Sequence, residues 1–155
     1  MIVDDLKEIV GGHSMFAGLG TEFLELVTGC AKNVRFHGGE YLYREGEEAN
    51  EIYLIRDGHV AQELGAPGQG RMTFQTIGPD GVVGLSFLVP PYRWSYDARA
   101  QDDVRAISLD ATCLRGKCNA DPALGYEVMK RFMPTVVDRL HDTRLQLLDV
   151  YGARS

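Results

Sequence analysis

Four histidines (His13, His37, His59, His141) and three cysteines (Cys30, Cys113, Cys118) are the side chains best suited to metal or nucleophilic chemistry. Their spacing argues against both. A metal site of the His-x-His type needs adjacent imidazoles on one strand face, and each histidine here stands alone in sequence, although His37 and His59 can approach in space. Cys113 and Cys118 lack the C-x2-C spacing of zinc sites. An odd number of widely separated cysteines does not read as a disulfide framework, so all three are expected to be small buried free thiols. There is no nucleophile elbow, no Gly-Lys-Ser/Thr phosphate loop and no pair of carboxylates spaced for acid–base work. Neither catalysis nor a bound metal is expected.

The charge balance narrows the field further. The 155 residues carry a formal net charge of −6, without a run of Lys or Arg. Binding to a phosphate backbone rests on cations that release counterions, so no DNA partner is expected. No apolar run approaches the ~18 residues of a membrane span. The start, Met1-Ile2-Val3-Asp4-Asp5, is acidic and unlike a signal peptide, which implies a cytoplasmic location and no membrane.

Residues 1–155 read as one domain in three zones. Residues 2–28 are helical: Ile2, Leu6, Ile9 and Val10 share one face, and a second helix runs from Thr21, as N-cap, to Val27, with Gly29 as its stop. Residues 30–109 hold short strand-like runs at Val34–His37, Tyr41–Arg44, Ile52–Arg56, His59–Leu64, Met72–Ile77, Tyr96–Gln101 and Val104–Leu109. Asp57-Gly58 predicts a hairpin, and Ala66-Pro67-Gly68-Gln69-Gly70 a longer turn. Residues 110–150 are helical again. Asp110 caps a helix through Lys117, and Asp121 caps a long one that opens on Pro122 and runs to about Val150. On that helix Met129, Met133, Val136, Leu140, Thr143 and Leu147 recur at alternating spacings of four and three, which predicts a dimer seam. Phe132, Val137, Leu145 and Leu148 form a second flank, so one flank is available for the barrel and the other for a partner. Pro134 removes a backbone hydrogen bond and is expected to kink the helix.

Three segments carry a family resemblance. Phe36-x-x-Gly39-Glu40-x-Leu42-x-Arg44-Glu45-Gly46-Glu47, Asn50-Glu51-Ile52-Tyr53-Leu54-Ile55-Arg56-Asp57-Gly58-His59-Val60 and Ile77-Gly78-Pro79-Asp80-Gly81-Val82-Val83-Gly84 follow one another in the order and spacing of cyclic-nucleotide-binding domains. Arg139-Leu140-x-x-Thr143 is similar to the signalling helix of that family's bacterial activator (Crp/Fnr-like) branch. The resemblance implies a mainly β fold: a double-stranded β-helix, or jelly-roll, barrel with N-terminal helices and a long C-terminal helix. Cupins share the roll, but they bind metal through the histidine pattern absent here.

The resemblance also implies a ligand site, and the residues depart from it. Gly84 matches the glycine of the phosphate-binding cassette, whereas Leu85 stands where a ribose-binding Glu is expected. An unmet ribose hydroxyl should cost about 1–3 kcal/mol. Counting back from Ala100, the phosphate-binding Arg position falls on Trp94. Arg93 is one residue early, and a one-residue shift on a strand reverses the face unless a bulge intervenes. The implied ligand set is Gly84, Leu85, Ser86, Arg93, Trp94 and Ser95, with Thr143 from the helix. Such a pocket suits a cyclic nucleotide or another small anionic or planar ligand; its own side chains can equally fill it. The expectation is a ligand-sensing homodimer that signals through its C-terminal helix to a downstream protein. The alternatives are a constitutive dimerisation domain with a dead pocket and a truncated activator-type transcriptional regulator. Only Gly152-Ala153-Arg154-Ser155 follow Tyr151, too few for a helix-turn-helix.

Overall fold

The computed structural model describes residues 3–66, 68 and 70–152. Two helices, α1 (Val3–Gly12) and α2 (Thr21–Thr28), lead into strands β1 (Ala31–Phe36), β2 (Tyr41–Tyr43), β3 (Glu51–Asp57), β4 (Val60–Ala66), β5 (Gly70–Ile77), β6 (Val82–Val83), β7 (Asp97–Ala100) and β8 (Val104–Asp110). A 3-10 turn, Leu85–Leu88, separates β6 from β7, and helices α3 (Ala111–Ala120) and α4 (Pro122–Gly152) close the chain.

The strands form two four-stranded sheets, ordered β1-β8-β3-β6 and β2-β7-β4-β5, with every pairing antiparallel. First pairs with last, second with seventh, third with sixth and fourth with fifth. That nesting is one long hairpin rolled into a jelly roll, the fold class expected from the sequence. The two sheets differ on their outer faces. Helices α1, α2 and α3 contact β1, β3 or β8 from outside. Strand β3 therefore buries the consecutive run Ile52, Tyr53, Leu54 and Ile55 instead of alternating. The other sheet is dressed with ion pairs, Arg99 to Glu63 at 2.9 Å and Arg71 to Asp97. Burial raises the Asp97 carboxyl, but the Glu45 amide and the Arg71 and Arg44 guanidinia prevail and hold it below the usual carboxylate range.

Several expectations change. Asp57-Gly58 is not a hairpin, because β3 and β4 lie in different sheets. An Asp-Gly pair specifies a bend in the backbone, not the sheet that receives the outgoing strand. Gly58 has φ +87°, and a Cβ there would collide with the Asp103 carbonyl, so this crossover is pressed against the β7–β8 turn. The Asp102 carboxylate fastens it, accepting from the His59 amide at 2.7 Å and contacting its Nδ1 at 2.8 Å. The 66–70 turn does join a hairpin, with Ala66 opposite Gly70; Pro67 and Gln69 lie outside the described residues. Thr21 is not an N-cap: Gly20 holds that position and no side chain bonds the first turn. Ile2 lies outside the described residues. Asp110 and Asp121 do cap α3 and α4, accepting from Cys113 N at 2.7 Å and Ala123 N at 3.1 Å.

The cysteines are also corrected. Cys30 and Cys113 form a disulfide, Cα–Cα 5.7 Å, and Cys118 alone stays free. Pairing of Ala31 with Leu109 brings the start of β1 beside the start of α3, and Cys113 lies one turn into that helix. Closing a loop of 83 residues contributes roughly 4.5 kcal/mol in the chain-entropy model.

On α4, Phe132 is buried, but Val137, Leu145 and Leu148 are exposed, so the second apolar flank does not pack on the barrel. A polar stripe does so instead. Arg139 Nη2 donates to Val82 O, Gln75 Nε2 to Asp142 Oδ2 at 3.2 Å, and Gln146 Nε2 to Phe74 O at 2.7 Å. Among the described residues no helix is long and apolar enough to cross a membrane.

His13 opens the α1–α2 connection and is 5% exposed, with Nδ1 accepting from Met15 N at 3.1 Å and Nε2 unbonded. Burial lowers its pKa, only partly opposed by Asp80. The unfolded chain therefore takes up a proton that the folded one refuses. Stability should be full above the ordinary histidine value of 6.5 and fall as pH drops below it. Chemical denaturation of wild type and His13→Asn between pH 7.5 and 5 should show the wild-type loss and a shallower slope in the variant.

Candidate functional site

The cassette begins where β6 ends. Gly84 has φ +105°, a left-handed turn that redirects the chain into Leu85–Leu88. A Cβ on Gly84 would lie 2.8 Å from Trp94 Cη2 and 3.3 Å from the Glu51 carbonyl, so an indole lies directly over the glycine. Trp94 is buried and stacks on Tyr43, ring centroids 3.8 Å apart and planes 12° off parallel. Its neighbour faces out: Arg93 is exposed and donates to Gly46 O at 2.8 Å. Backbone pairing fixes this alternation, with Ala49 N bonded to Tyr92 O, Trp94 N to Glu47 O and Gly46 N to Trp94 O. Ser95 is exposed as well.

Two clefts flank this region. One, of about 470 Å³, is lined by Tyr43, Trp94 and Tyr53 together with Glu47, Glu48 and Glu51. Its carboxylates disfavour an anion. The other, of about 500 Å³, lies between the 3-10 turn and α4. Leu85, Ser86, Leu88, Val89 and Tyr96 form one side, and Met129, Met133, Val136 and Arg139 form the other. Of the residues expected at the ligand, Leu85 and Ser86 line this second cleft, Trp94 lines the first, and Arg93 and Ser95 line neither. Thr143 is exposed, its Oγ1 donating to the Arg139 carbonyl at 2.9 Å.

The seam residues Met129 (43%), Met133, Val136, Leu140 (49%), Thr143 and Leu147 (52%) are all exposed. The structure adds residues that sequence reasoning missed. Arg115, on α3, donates to Phe87 O at 2.6 Å and lies over the Tyr92 ring at 4.1 Å, fastening the cassette to the helices. Arg139 and Tyr96 border the second cleft, and Tyr43 lies behind them. For Arg139 a signal existed, since it follows the buried Phe132 by seven residues, two turns along the same face. Among the described residues no group of three or more His, Cys, Asp or Glu is placed to hold a metal ion.

A jelly roll whose glycine-initiated turn faces a long terminal helix defines the class of sensory barrels built for small ligands. The chain belongs to the cyclic nucleotide-binding domain family, whose model matches residues 33–121. It is 27% identical over 146 residues to the CRP-like cAMP-activated global transcriptional regulator of Mycobacterium tuberculosis, covering 94% of this chain. The chain spans 63% of that relative's length. Among solved structures it is similar to a Geobacter metallireducens protein described as cyclic nucleotide-binding (26% identity, TM-score 0.77, 91% of this chain and all of that one). A cyclic nucleotide-binding domain from Methylobacillus flagellatus shares the fold at 19% identity (TM-score 0.78, 95% of this chain and 83% of that one).

Gly84→Ala tests the cassette geometry. A side chain at this φ, pressed on Trp94 and the Glu51 carbonyl, should cost about 1–3 kcal/mol, read as a lower denaturant midpoint.

Proposed function

We propose that this domain is a ligand-responsive regulatory module that senses a small molecule and signals through the position or pairing of α4. The observation that carries the reading is the shared cleft: its walls are the cassette turn and the long helix. A ligand seated there touches both, so its affinity differs between any two helix positions, which is the condition for coupling. The contact between Phe87 of the cassette and Phe132 of α4, centroids 5.6 Å apart, supports the same linkage. The output is a homodimer through the Met129–Leu147 seam, acting on a further protein. Six exposed residues at heptad-like spacing suit self-association of a helix 31 residues long.

The pocket departs from an ordinary cyclic-nucleotide site. Leu85 accepts no hydrogen bond, and Arg93 lines neither cleft. Calorimetric titration with cyclic AMP and cyclic GMP should give no binding tighter than ~10 μM. Nanomolar affinity would show the cassette to be intact in function. The buried Tyr43–Trp94 stack favours a second reading, a constitutive dimerisation domain whose cassette is filled by its own side chains. The two separate on whether any small molecule co-purifies with the native protein, by mass spectrometry.

Leu140→Asp places a carboxylate in the middle of the seam. Sedimentation velocity should convert from dimer to monomer; an unchanged dimer mass would rule the seam out as the interface.

A further inference from the structure

Cys30 and Cys113 are brought together by backbone contacts that do not depend on the bond between them. Asp110 holds both. Its amide donates to Cys30 O at 2.9 Å, and its carboxylate accepts from Cys113 N at 2.7 Å. Pairing of Ala31 with Leu109 fixes the adjoining residues, and the two cysteine Cα atoms stand 5.7 Å apart, a separation that suits a disulfide. An opened bond therefore leaves its two sulfurs as neighbours, and reclosure needs no search by the chain. Cys30 is buried but Cys113 is half-buried, so the pair is open to a small reagent at Cys113. The bond also ties down the helix that fastens the cassette. Two residues past Cys113, Arg115 donates to Phe87 O at 2.6 Å and covers the Tyr92 ring at 4.1 Å. Two further on, Lys117 donates to Leu26 O at 2.7 Å. The ten residues of α3 are thus attached at their start to Cys30, in their middle to the cassette turn and near their end to α2. Cys118, on the same helix, stays free; burial pushes its thiol up, which makes it a poor competitor in exchange.

We propose that Cys30 and Cys113 are a redox-modification site, opened by a dithiol reductant and closed by a disulfide oxidant, whose state sets how firmly α3 holds the cassette turn. A thiolate of the reductant attacks Cys113 Sγ; the S–S bond breaks, and Cys30 leaves with the electron pair and takes up a proton. The reductant's second thiolate attacks its own sulfur in the mixed disulfide, and Cys113 leaves and is protonated in turn. Two electrons and two protons have then passed to the cysteines, and the reductant has become a disulfide. The same steps in reverse, with a disulfide oxidant, close the pair. Neither cysteine lines either cleft beside the cassette, so the site stands whether or not a ligand is sensed there.

The test equilibrates the folded chain with glutathione disulfide or with dithiothreitol, then unfolds it in N-ethylmaleimide and counts thiols by intact mass. Glutathione disulfide should leave one adduct, on Cys118, and dithiothreitol should give three, with far-ultraviolet circular dichroism kept. A return to glutathione disulfide should restore the single adduct. Trp94, the one tryptophan, lies over Gly84 and reports on the cassette. Its quenching by acrylamide should rise on reduction, and Cys30→Ser should show the raised value with or without dithiothreitol. Cys118→Ser should respond as wild type does. Should Cys30→Ser fail to fold, reduced and oxidised wild type carry the comparison. Three adducts after glutathione disulfide, a bond that resists dithiothreitol until the chain unfolds, loss of dichroism on reduction, or quenching that ignores the redox state would each overturn the proposal.

Discussion

Helix α4 buries Leu124, Val128 and Phe132, and the phenylalanine ties it to two other parts of the molecule at once. Phe132 sits edge-on between Phe16 of the N-terminal segment, centroids 6.2 Å apart, and Phe87 of the cassette turn, 5.6 Å apart. Burying a phenylalanine contributes about 2–3 kcal/mol, and each edge-to-face pair adds about 1 kcal/mol. Arg131 tightens the same point by donating to Met15 O and Ala17 O at 3.2 and 2.8 Å. The helix, the N-terminal connection and the cassette therefore share a single packing junction. A change in the cassette's shape cannot leave Phe87 without altering what Phe132 rests on.

Beyond that junction the helix is held differently. Arg139, Asp142 and Gln146 continue the face of Phe132 along the barrel, but with hydrogen bonds in place of apolar contact. Net hydrogen-bond contributions are about 1 kcal/mol each, and water can replace them. Val137, Leu140, Leu145, Leu147 and Leu148 of this half are exposed. Its inner side is held by hydrogen bonds and its outer side presents exposed apolar residues.

Much of the roll was legible in the sequence because strand period and turn chemistry are local. Seven runs correspond to strands within a few residues. Val82–Val83 was too short to show a period. The Asp57-Gly58 crossover and the Cys30–Cys113 bond were not legible, since both depend on which distant strands become neighbours. The site was less legible than the fold. Strand alternation reads Trp94 and Arg93 onto opposite faces, and the backbone pairing has the indole inside and the guanidinium outside. Arg139 was read as part of a helix motif but not as a site residue; its partial burial follows from its register with Phe132, seven residues earlier on the same face.

Pro134 stands two residues past Phe132, inside α4. It has no amide to offer the Lys130 carbonyl, so one rung of the helical ladder is missing where the anchored half meets the loosely held half. Bending stiffness in a helix comes from those rungs. The helix is therefore least braced by its own backbone between its aromatic junction and its hydrogen-bonded half.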